Sequence, residues 1–448
     1  MRRAKQNAQT TEVGVARSWL TTLAVIFLVS LAPRLVWALW AHVRPFADMA
    51  EYDFLARHWM TTGEFGTPDS RAWRTPAYPA FLAIVYHVFG YSWRAAAVVQ
   101  AFLGAGTSVL TAMLGARLLS RRIGMIGGLF HAFSVAGLLY TPYLLSEHIA
   151  IPLTLASLLF LSRLDANERR PWLWAGVSGF LLGGLILARP AAQFLIPAWL
   201  ILAGYSFALR KWRPVAAAVC AIALIVTLAP WLKRNIALGL GPKVSTIGGF
   251  NLWMANRDGA NGGWDPKAVW HWTVYPGEGG QDRVYYRAGI EWIVTHPGGY
   301  LHLCWVRLWT VIGLAPDHLI CIWGWPTAAN DRVQSIYLRR MTEPGKVTPE
   351  IERAAFANRA AQTRVLRPLR WFAAPLAVLA MLAAFWRWRQ MLLLLLPAAV
   401  YLLGIALTHA ESRYREAVGP LWLIMIAALL ESVYLWLRSR KPTRNAAA

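Results

Sequence analysis

The chain has 448 residues, 57% of them hydrophobic, and its 45 Lys and Arg residues outnumber 22 Asp and Glu residues, for a formal charge of +23. Soluble globular domains are about 45 to 50% apolar, so this composition excludes a soluble protein and indicates an integral membrane protein. The apolar blocks are long enough for helices to cross a hydrocarbon core of about 30 Å, and they lack the alternating pattern of a β-barrel. The predicted fold class is therefore an all-α polytopic membrane protein.

The positive charge lies mainly in short loops between the apolar blocks. Cytoplasmic loops of membrane proteins carry such an excess, so the charge does not require a nucleic-acid partner. Attraction to anionic lipid headgroups or lipid phosphates is a second contribution. We expect membrane lipids and no nucleic acid as partners, and we expect Cys220, Cys304 and Cys321 to be free thiols rather than to include a disulfide.

The first half of the chain, residues 19–232, predicts a bundle of seven spans. Residues 1–18 form a cytoplasmic N-terminus, and the run from Trp19 to Trp40 is too long for a signal-peptide core, so it predicts a retained first helix. The polar loop 41–93 follows on the outer face. Six further spans are predicted at Arg94–Leu119, Ile123–Tyr143, Ser146–Leu164, Trp172–Ala188, Ala191–Ala208 and Pro214–Trp231. Basic residues in alternate connections place the end of the seventh span outside.

The second half begins with another outer region, residues 233–370. Its Gly-, Asn- and Trp-rich stretch predicts turns, and residues 300–325 predict either an interfacial helix or a hairpin. Three C-terminal spans are predicted within 371–437, followed by a cytoplasmic tail at 438–448. They are Trp371–Trp386, Met391–Thr408 and Ala417–Leu437. We expect about ten spans, or twelve if 300–325 is a hairpin, with short helices in both outer loops.

This topology brings polar groups from separate loops to one face. They are the Asp48 loop, the Ser146-Glu147-His148 turn, the Arg189-Pro190 turn, the loop with Asn251 and Asn256, and the Glu411–Arg415 turn. A charged residue at a helix centre costs about 2.5 to 3.5 kcal/mol on insertion scales, so span ends are the expected place for such groups. Their shared side predicts one outward-facing site.

Six motifs in these loops and spans carry a family resemblance. They are DMAEY from Asp48, WRTPAYPAFLAIVYHVFG from Trp73, LLSEH from Leu144, LARP from Leu187, GGFNLWMAN from Gly248 and ESRYREAVGP from Glu411. In this order they resemble bacterial members of glycosyltransferase family 39, relatives of the protein O-mannosyltransferases and the lipid A aminoarabinose transferases in the GT-C membrane superfamily. The resemblance extends from about residue 20 to residue 437.

The resemblance implies a GT-C-type helical bundle in the bacterial cytoplasmic membrane. It also implies inverting transfer of a sugar from a polyprenyl-phosphate donor at the outer face. Asp48 takes the position of the catalytic residue, and Tyr52 that of the aromatic residue one helical turn later. The adjacent acidic pair of many eukaryotic relatives is absent, because Ala47 and Met49 flank Asp48, which leaves Glu51 as the candidate second carboxylate. The large outer domain of some relatives is reduced, so the acceptor stays open among lipid, glycan and protein.

The chemistry explains the choice of residues. A carboxylate takes the proton of the acceptor hydroxyl as its oxygen attacks C1, as in inverting glycosidases. Guanidinium groups match the oxygens of a departing phosphate, and aromatic side chains stack on sugars. Asp48 is the predicted base. The predicted substrate-binding residues are Glu51, Tyr52, Arg74, Tyr78, Glu147, Arg189, Asn251, Asn256, Arg413 and Tyr414, with Arg57 and Trp253 as further candidates.

Several of these residues have structural alternatives. Asp48 and Glu51 have the spacing of a helix capping box, and Glu147 suits the dipole at a helix start. Arg189 before Pro190 fits a snorkelling interface anchor. Asp53 fits an ion pair with Arg57 one turn later.

Other functions compete with the transferase. Asp48, Glu51 and Glu147 offer oxygen ligands suited to Mg or Mn, but their spacing requires no metal, and no cofactor is predicted. No Gly-rich phosphate loop of Walker or dinucleotide type is present, which argues against a nucleotide-driven pump. A lipid or polar-solute transporter or flippase is the main alternative, and a scaffold for envelope enzymes a third. Transporters usually show internal repeats and charges near the membrane midplane, whereas in this sequence most charges cluster at one outer face and no repeat is visible.

Overall fold

The computed structural model describes residues 2–41, 43–45, 48–67, 70–165, 170–206, 211–263, 277–312, 378–380, 382 and 388–439. The helices are α1 (Arg2–Trp40), α2 (Asp48–Thr62), α3 (Ala77–Phe89), α4 (Trp93–Leu118), α5 (Arg121–Ala132), α6 (Val135–Leu139), α7 (Glu147–Leu161), α8 (Pro171–Ala188), α9 (Ile196–Gly204), α10 (Pro214–Ala237), α11 (Ile247–Ala255), α12 (Glu278–Thr295), α13 (Pro297–Ile312), α14 (Trp388–Leu407) and α15 (Gly419–Ser439). Short 3₁₀ segments cover Ser162–Asp165, Pro190–Leu195 and Ser412–Ala417, and strands β1 (Tyr205–Ser206) and β2 (Lys211–Trp212) form an antiparallel pair.

Within the described residues, six helices are long and apolar enough to cross a membrane. They are Arg17–Trp40, Trp93–Leu118, Glu147–Leu164, Pro171–Ala188, Pro214–Ala237 and Gly419–Ser439. Three shorter apolar helices accompany them: Ala77–Phe89, Pro190–Gly204 and Met391–Leu407. The all-α polytopic class is confirmed. The total number of spans stays a prediction, because most of Trp371–Trp386 and residues 313–325 lie outside the described part.

The bundle packs closely because glycines stand where helices touch. A Cβ atom on Gly124 of α5 would lie 2.3 Å from the carbonyl oxygen of Ala112 in α4. A Cβ on Gly179 of α8 would lie 2.2 Å from the carbonyl oxygen of Cys220 in α10. Small residues let membrane helices approach at backbone distance, so these glycines fix the α4–α5 and α8–α10 contacts.

Two predicted spans differ from the structure. The span Ile123–Tyr143 is broken after α5, where the Ser134 hydroxyl accepts from the amide of Gly137 and starts the short helix α6. Arg34 of α1, fully buried, donates to the carbonyls of Ala132 at 2.7 Å and His131 at 3.0 Å, which satisfies the broken end of α5. The predicted span Ala191–Ala208 begins in the 3₁₀ segment and continues as α9, which β1 follows. Residues 207–208 of this prediction lie outside the described part of the chain.

The first polar loop is fastened to the second polar region. The carboxylate of Glu278, at the start of α12, accepts from the amides of Arg71 at 2.5 Å and Ala72 at 2.9 Å, and from the Thr246 hydroxyl. Thr246 donates its amide to the Ala72 carbonyl at 3.0 Å. Ser245 donates its hydroxyl to the Trp73 carbonyl at 2.7 Å. Residues 71–73 are thereby held in one place, and Arg74 follows directly.

Arg307 of α13 forms a second set of hydrogen bonds between distant segments. It is fully buried and donates to the carbonyls of Ala255 at 2.6 Å, Gly262 at 3.1 Å and Ala406 at 3.1 Å. One guanidinium therefore joins the end of α11, the loop after it and the end of α14. The chain that leaves α14 toward the Ser412–Ala417 turn starts from this anchored point.

Candidate functional site

Asp48 lies between two arginines. It is the first residue of α2, and its Oδ1 accepts from Arg74 Nη2 at 2.6 Å while its Oδ2 accepts from Arg413 Nη2. Arg74 also donates through Nε to Glu51 Oε2 at 2.8 Å. In the described part of the chain no backbone amide of α2 donates to the Asp48 carboxylate, so Asp48 is not the N-cap that its spacing to Glu51 also suggested. Asp48 and Arg413 are 365 residues apart in sequence, and only the fold brings them together.

A buried ion pair lies next to Asp48 and its two arginines. Glu147 Oε1, at the start of α7, is 2.6 Å from Arg189 Nη1, and the two side chains are only 10% and 8% exposed. The Arg189 guanidinium lies 4.4 Å from the ring centre of Tyr414, and its Nε donates to the Tyr401 hydroxyl at 3.4 Å. Arg189 therefore points into the bundle, and the snorkelling-anchor alternative is wrong.

Arg413 connects the Glu147–Arg189 pair to Asp48. Besides Asp48 it contacts Glu411 Oε2 at 2.6 Å, and its Nε is 4.0 Å from Glu147 Oε1. We call the resulting group of seven side chains the ion network. Its members are Asp48, Glu51, Arg74, Glu147, Arg189, Glu411 and Arg413. Removing charges from water is costly unless they are well paired. The network contains four carboxylates and three guanidiniums, so each charged group has a partner of opposite sign.

The network sets the protonation of its members. Burial favours the neutral form of Asp48, but Arg74 and Arg413 together outweigh it and hold the pKa of that carboxyl below its usual range. For Glu51 and Glu411, burial and the nearby Asp48 charge exceed the effect of their arginine partners, so the pKa of each is raised. Burial opposes the charge of Arg413, but Glu411 and Asp48 raise the pKa of its guanidinium well above the usual value. Asp48 is thus ionised at neutral pH.

A small, mostly apolar cleft with a volume of about 40 Å³ lies beside the network between α4, α5, α7 and the Ser412–Ala417 turn. Glu147 and Arg413 line it together with Glu416, while Thr107 and His131 line it deeper in the bundle. The cleft therefore brings an apolar wall and two members of the ion network, Glu147 and Arg413, to one place.

Comparison with known proteins bears on the fold and on the sequence family. Residues 73–232 match the sequence family described as dolichyl-phosphate-mannose-protein mannosyltransferase. The oligosaccharyltransferase of Archaeoglobus fulgidus, tethered to an acceptor peptide, superposes with a TM-score of 0.52 at 13% identity, over 96% of this chain and 51% of that one. Its complex with Zn and sulfate gives 0.50 at 13% identity, over 94% and 50%. The chain shares the fold of the membrane part that these matches cover.

A further solved structure gives a lower TM-score. ArnT from Cupriavidus metallidurans in the apo state gives a TM-score of 0.39 at 14% identity, over 97% of this chain and 82% of that one. No curated protein matches the chain significantly. The chain spans about half the length of the archaeal oligosaccharyltransferase. The resemblance to the mannosyltransferase family, first drawn from the six motifs, is confirmed over residues 73–232.

Three of the predicted aromatic residues have different places around the ion network. The Arg74 guanidinium lies 5.4 Å from the ring centre of Tyr52, so Tyr52 borders the network. Tyr78 is fully buried behind Tyr52, with ring centres 4.9 Å apart, and its hydroxyl donates to Gln100 at 2.5 Å. Tyr78 supports the site from behind and has no exposed surface. Tyr414 contacts the network directly through Arg189.

The predicted residues of the second polar region lie outside the network. Asn256 is fully buried, and its side chain accepts from Arg307 at 2.6 Å and donates to the Leu252 carbonyl at 2.7 Å. Trp253 packs on Tyr285, with ring centres 4.9 Å apart. Asn251 lies on the same helix, α11. Among the described residues, no hydrogen bond or ion pair joins the two asparagines to the network, so Asn256 is a structural residue here. Arg57 pairs with Asp53 at 3.0 Å, as its spacing predicts.

A metal site is not formed by the predicted carboxylates in this arrangement. Among the described residues, no three His, Cys, Asp or Glu side chains come together as a metal site. Asp48, Glu51 and Glu147 each face a guanidinium instead. A divalent metal, which the sequence allows but does not require, stays a hypothesis.

The sequence did not single out Arg307, Glu278 or His409. His409 precedes the ESRYR motif by two residues, so its place in sequence was a usable signal. Glu278 and Arg307 act on backbone atoms that are distant in sequence. Such contacts leave no local pattern.

The role of Glu278 is open to a direct test. Glu278→Gln replaces one acceptor oxygen with an NH₂ group that faces the amides of Arg71 and Ala72. Because hydrogen bonds to a charged group contribute about 1.5 to 3 kcal/mol, we expect a lower unfolding temperature in detergent and faster hydrogen exchange at Ala72. Glu291→Gln, exposed on the same helix, is the control. Equal behaviour of the two variants would show that Glu278 does not hold this segment.

Proposed function

We propose that the protein is a membrane glycosyltransferase that moves a sugar from a polyprenyl-phosphate donor to an acceptor at the outer face of a bacterial cytoplasmic membrane, with inversion at C1. The observation that carries the proposal is the Asp48 carboxylate, held between Arg74 and Arg413 next to an apolar cleft. The description of the matched family names a dolichyl-phosphate-linked mannose donor, which supports the donor class.

The guanidiniums provide the phosphate site. Arg413 lines the cleft, and Arg189 Nη2 is buried without a hydrogen-bond partner among the described residues. Guanidinium groups bind phosphate oxygens in a forked geometry and stay protonated. The phosphate of the donor lies against Arg413 and Arg189, next to the apolar cleft.

Asp48 is the general base in this proposal. The acceptor oxygen attacks C1 of the sugar, its proton passes to Asp48, and the bond between C1 and the phosphate oxygen breaks with its electrons on the phosphate. While both arginines hold Asp48, its low pKa makes it a weak base. A donor phosphate competes for Arg413, loosens this hold and makes the carboxylate more basic at the moment it is required.

One experiment identifies both the sugar and the acceptor. The sugar is a hexose or a pentose, and the acceptor is a lipid, a glycan or a protein. The purified protein is placed in liposomes with undecaprenyl phosphate carrying radiolabelled mannose, glucose or aminoarabinose, together with an envelope extract. We expect label to pass to one extract fraction while undecaprenyl phosphate is released. Movement of the intact donor between leaflets without transfer of label would contradict the proposal and favour a flippase.

A further inference from the structure

His409 is a buried side chain beside the ion network that the chemistry above does not use. It lies between the end of α14 and the Ser412–Ala417 turn and is 3% exposed. Neither ring nitrogen has a hydrogen-bond partner in the described part of the chain. Leaving a buried polar group unpaired costs about 1 to 3 kcal/mol, and most such groups in proteins are paired. Two unpaired atoms on one ring therefore indicate a missing partner.

The surrounding backbone fixes the position of this ring. Thr408 accepts from the Asn256 side chain at 3.3 Å, and the amide of Ala410 donates to the Gly262 carbonyl at 3.2 Å. The imidazole packs edge-on against Tyr414, with ring centres 5.7 Å apart, and Tyr414 in turn contacts Arg189. His409 is thus held on both sides along the chain and placed next to the proposed phosphate site.

The surroundings also keep the ring uncharged. Burial, with the nearby charges of Arg307 and Arg413, lowers the pKa of His409 to about 3. A neutral imidazole has one N–H donor and one acceptor nitrogen. Phosphate oxygens only accept and already have guanidinium donors. A hydroxyl group both donates and accepts, and it matches a neutral imidazole.

Other unpaired atoms belong to the network itself. Arg189 Nη2 and Glu147 Oε1 are buried without a hydrogen-bond partner among the described residues, although Glu147 is in ion-pair contact with Arg189. Tyr414 links the two places, because it touches both His409 and Arg189. A ligand that carries a phosphate and neighbouring hydroxyl groups would pair with the unpaired atoms of the network and with the ring nitrogens of His409.

We propose that His409 hydrogen-bonds a hydroxyl group of the donor sugar and so recognises the sugar, next to arginines that bind the phosphate. The inference rests on the proposed function, because it assumes a donor with both parts. It divides the donor site into a charged half for the phosphate and an uncharged half for the sugar.

The test compares binding of undecaprenyl phosphate with binding of undecaprenyl phosphate that carries mannose, glucose or aminoarabinose. We expect His409→Phe to weaken binding of the preferred sugar conjugate by about 10-fold or more and to leave binding of undecaprenyl phosphate unchanged. His409→Gln keeps one donor and one acceptor and should retain part of the preference. His302→Gln, exposed on α13, is the matched control.

Each result is decisive for one of the two proposals. An equal loss for both ligands in His409→Phe, or a wild-type protein that prefers none of the sugar conjugates, would overturn the inference. A wild-type protein that prefers one conjugate but transfers no sugar would overturn the proposed function and leave the sugar contact of His409 standing. The equal loss is read in this way when His409→Phe unfolds in detergent at the wild-type temperature. Where His409→Phe unfolds at a lower temperature, the same comparison is made with His409→Gln, and an equal loss for both ligands in that variant would overturn the inference.

Discussion

Asp48→Asn is expected to lower the turnover number of sugar transfer by about 10²- to 10⁴-fold, the usual contribution of a positioned general base. Asparagine keeps the size of the side chain but cannot take the acceptor proton. The measurement is single-turnover transfer from the preferred undecaprenyl-phosphate sugar in liposomes. Glu64→Gln, exposed in the same polar loop, is the control and should transfer at the wild-type rate.

The same variant gives a second, independent signal. Without the carboxylate charge, Arg74 and Arg413 lose their shared anionic partner. We therefore expect Asp48→Asn to bind undecaprenyl phosphate more tightly than the wild-type protein while transferring far more slowly. Turnover within about threefold of wild type would remove Asp48 as the base. Weaker binding of the lipid phosphate would show that Asp48 organises the arginines rather than competing with the phosphate.

Arg189→Met is expected to produce the largest loss of stability. It leaves Glu147, 10% exposed in its side chain, without its main partner inside the bundle. Removing one member of a buried pair typically costs about 3 to 5 kcal/mol, because the remaining charge stays desolvated. Equilibrium unfolding in mixed micelles measures the loss.

The double variant Arg189→Met with Glu147→Leu separates stability from function. Replacing both members of a buried pair with apolar residues is often neutral or stabilising, so the double variant should recover most of the lost stability. It should not recover sugar transfer, because the phosphate site has lost a guanidinium. Recovery of both would show that the pair is only structural. A double variant as unstable as Arg189→Met would show that the loss comes from packing around Tyr414 and Tyr401.

The sequence alone determined the class of the protein and the loops that share the site. Apolar blocks of membrane-spanning length and the placement of Lys and Arg predict helices and their order, because both signals are local in the chain. The convergence of Asp48, Glu147, Arg189 and Arg413 was predicted from motifs at the ends of spans, and the structure brings all four into one network. The Asp53–Arg57 pair followed from helical spacing alone.

Only the tertiary structure decided which groups pair and which side chains are buried. The partners of Asp48 come from segments 26 and 365 residues away, and no spacing rule specifies such pairs. Tyr78 and Asn256 lie within the motifs, but both are fully buried and have structural roles. The sequence did not single out His409, because the lack of a partner for its ring depends on the residues packed around it. The break after α5 likewise depends on Arg34, about a hundred residues earlier in the chain. Burial and pairing are properties of distances between remote segments, and those distances are set only when the helices pack.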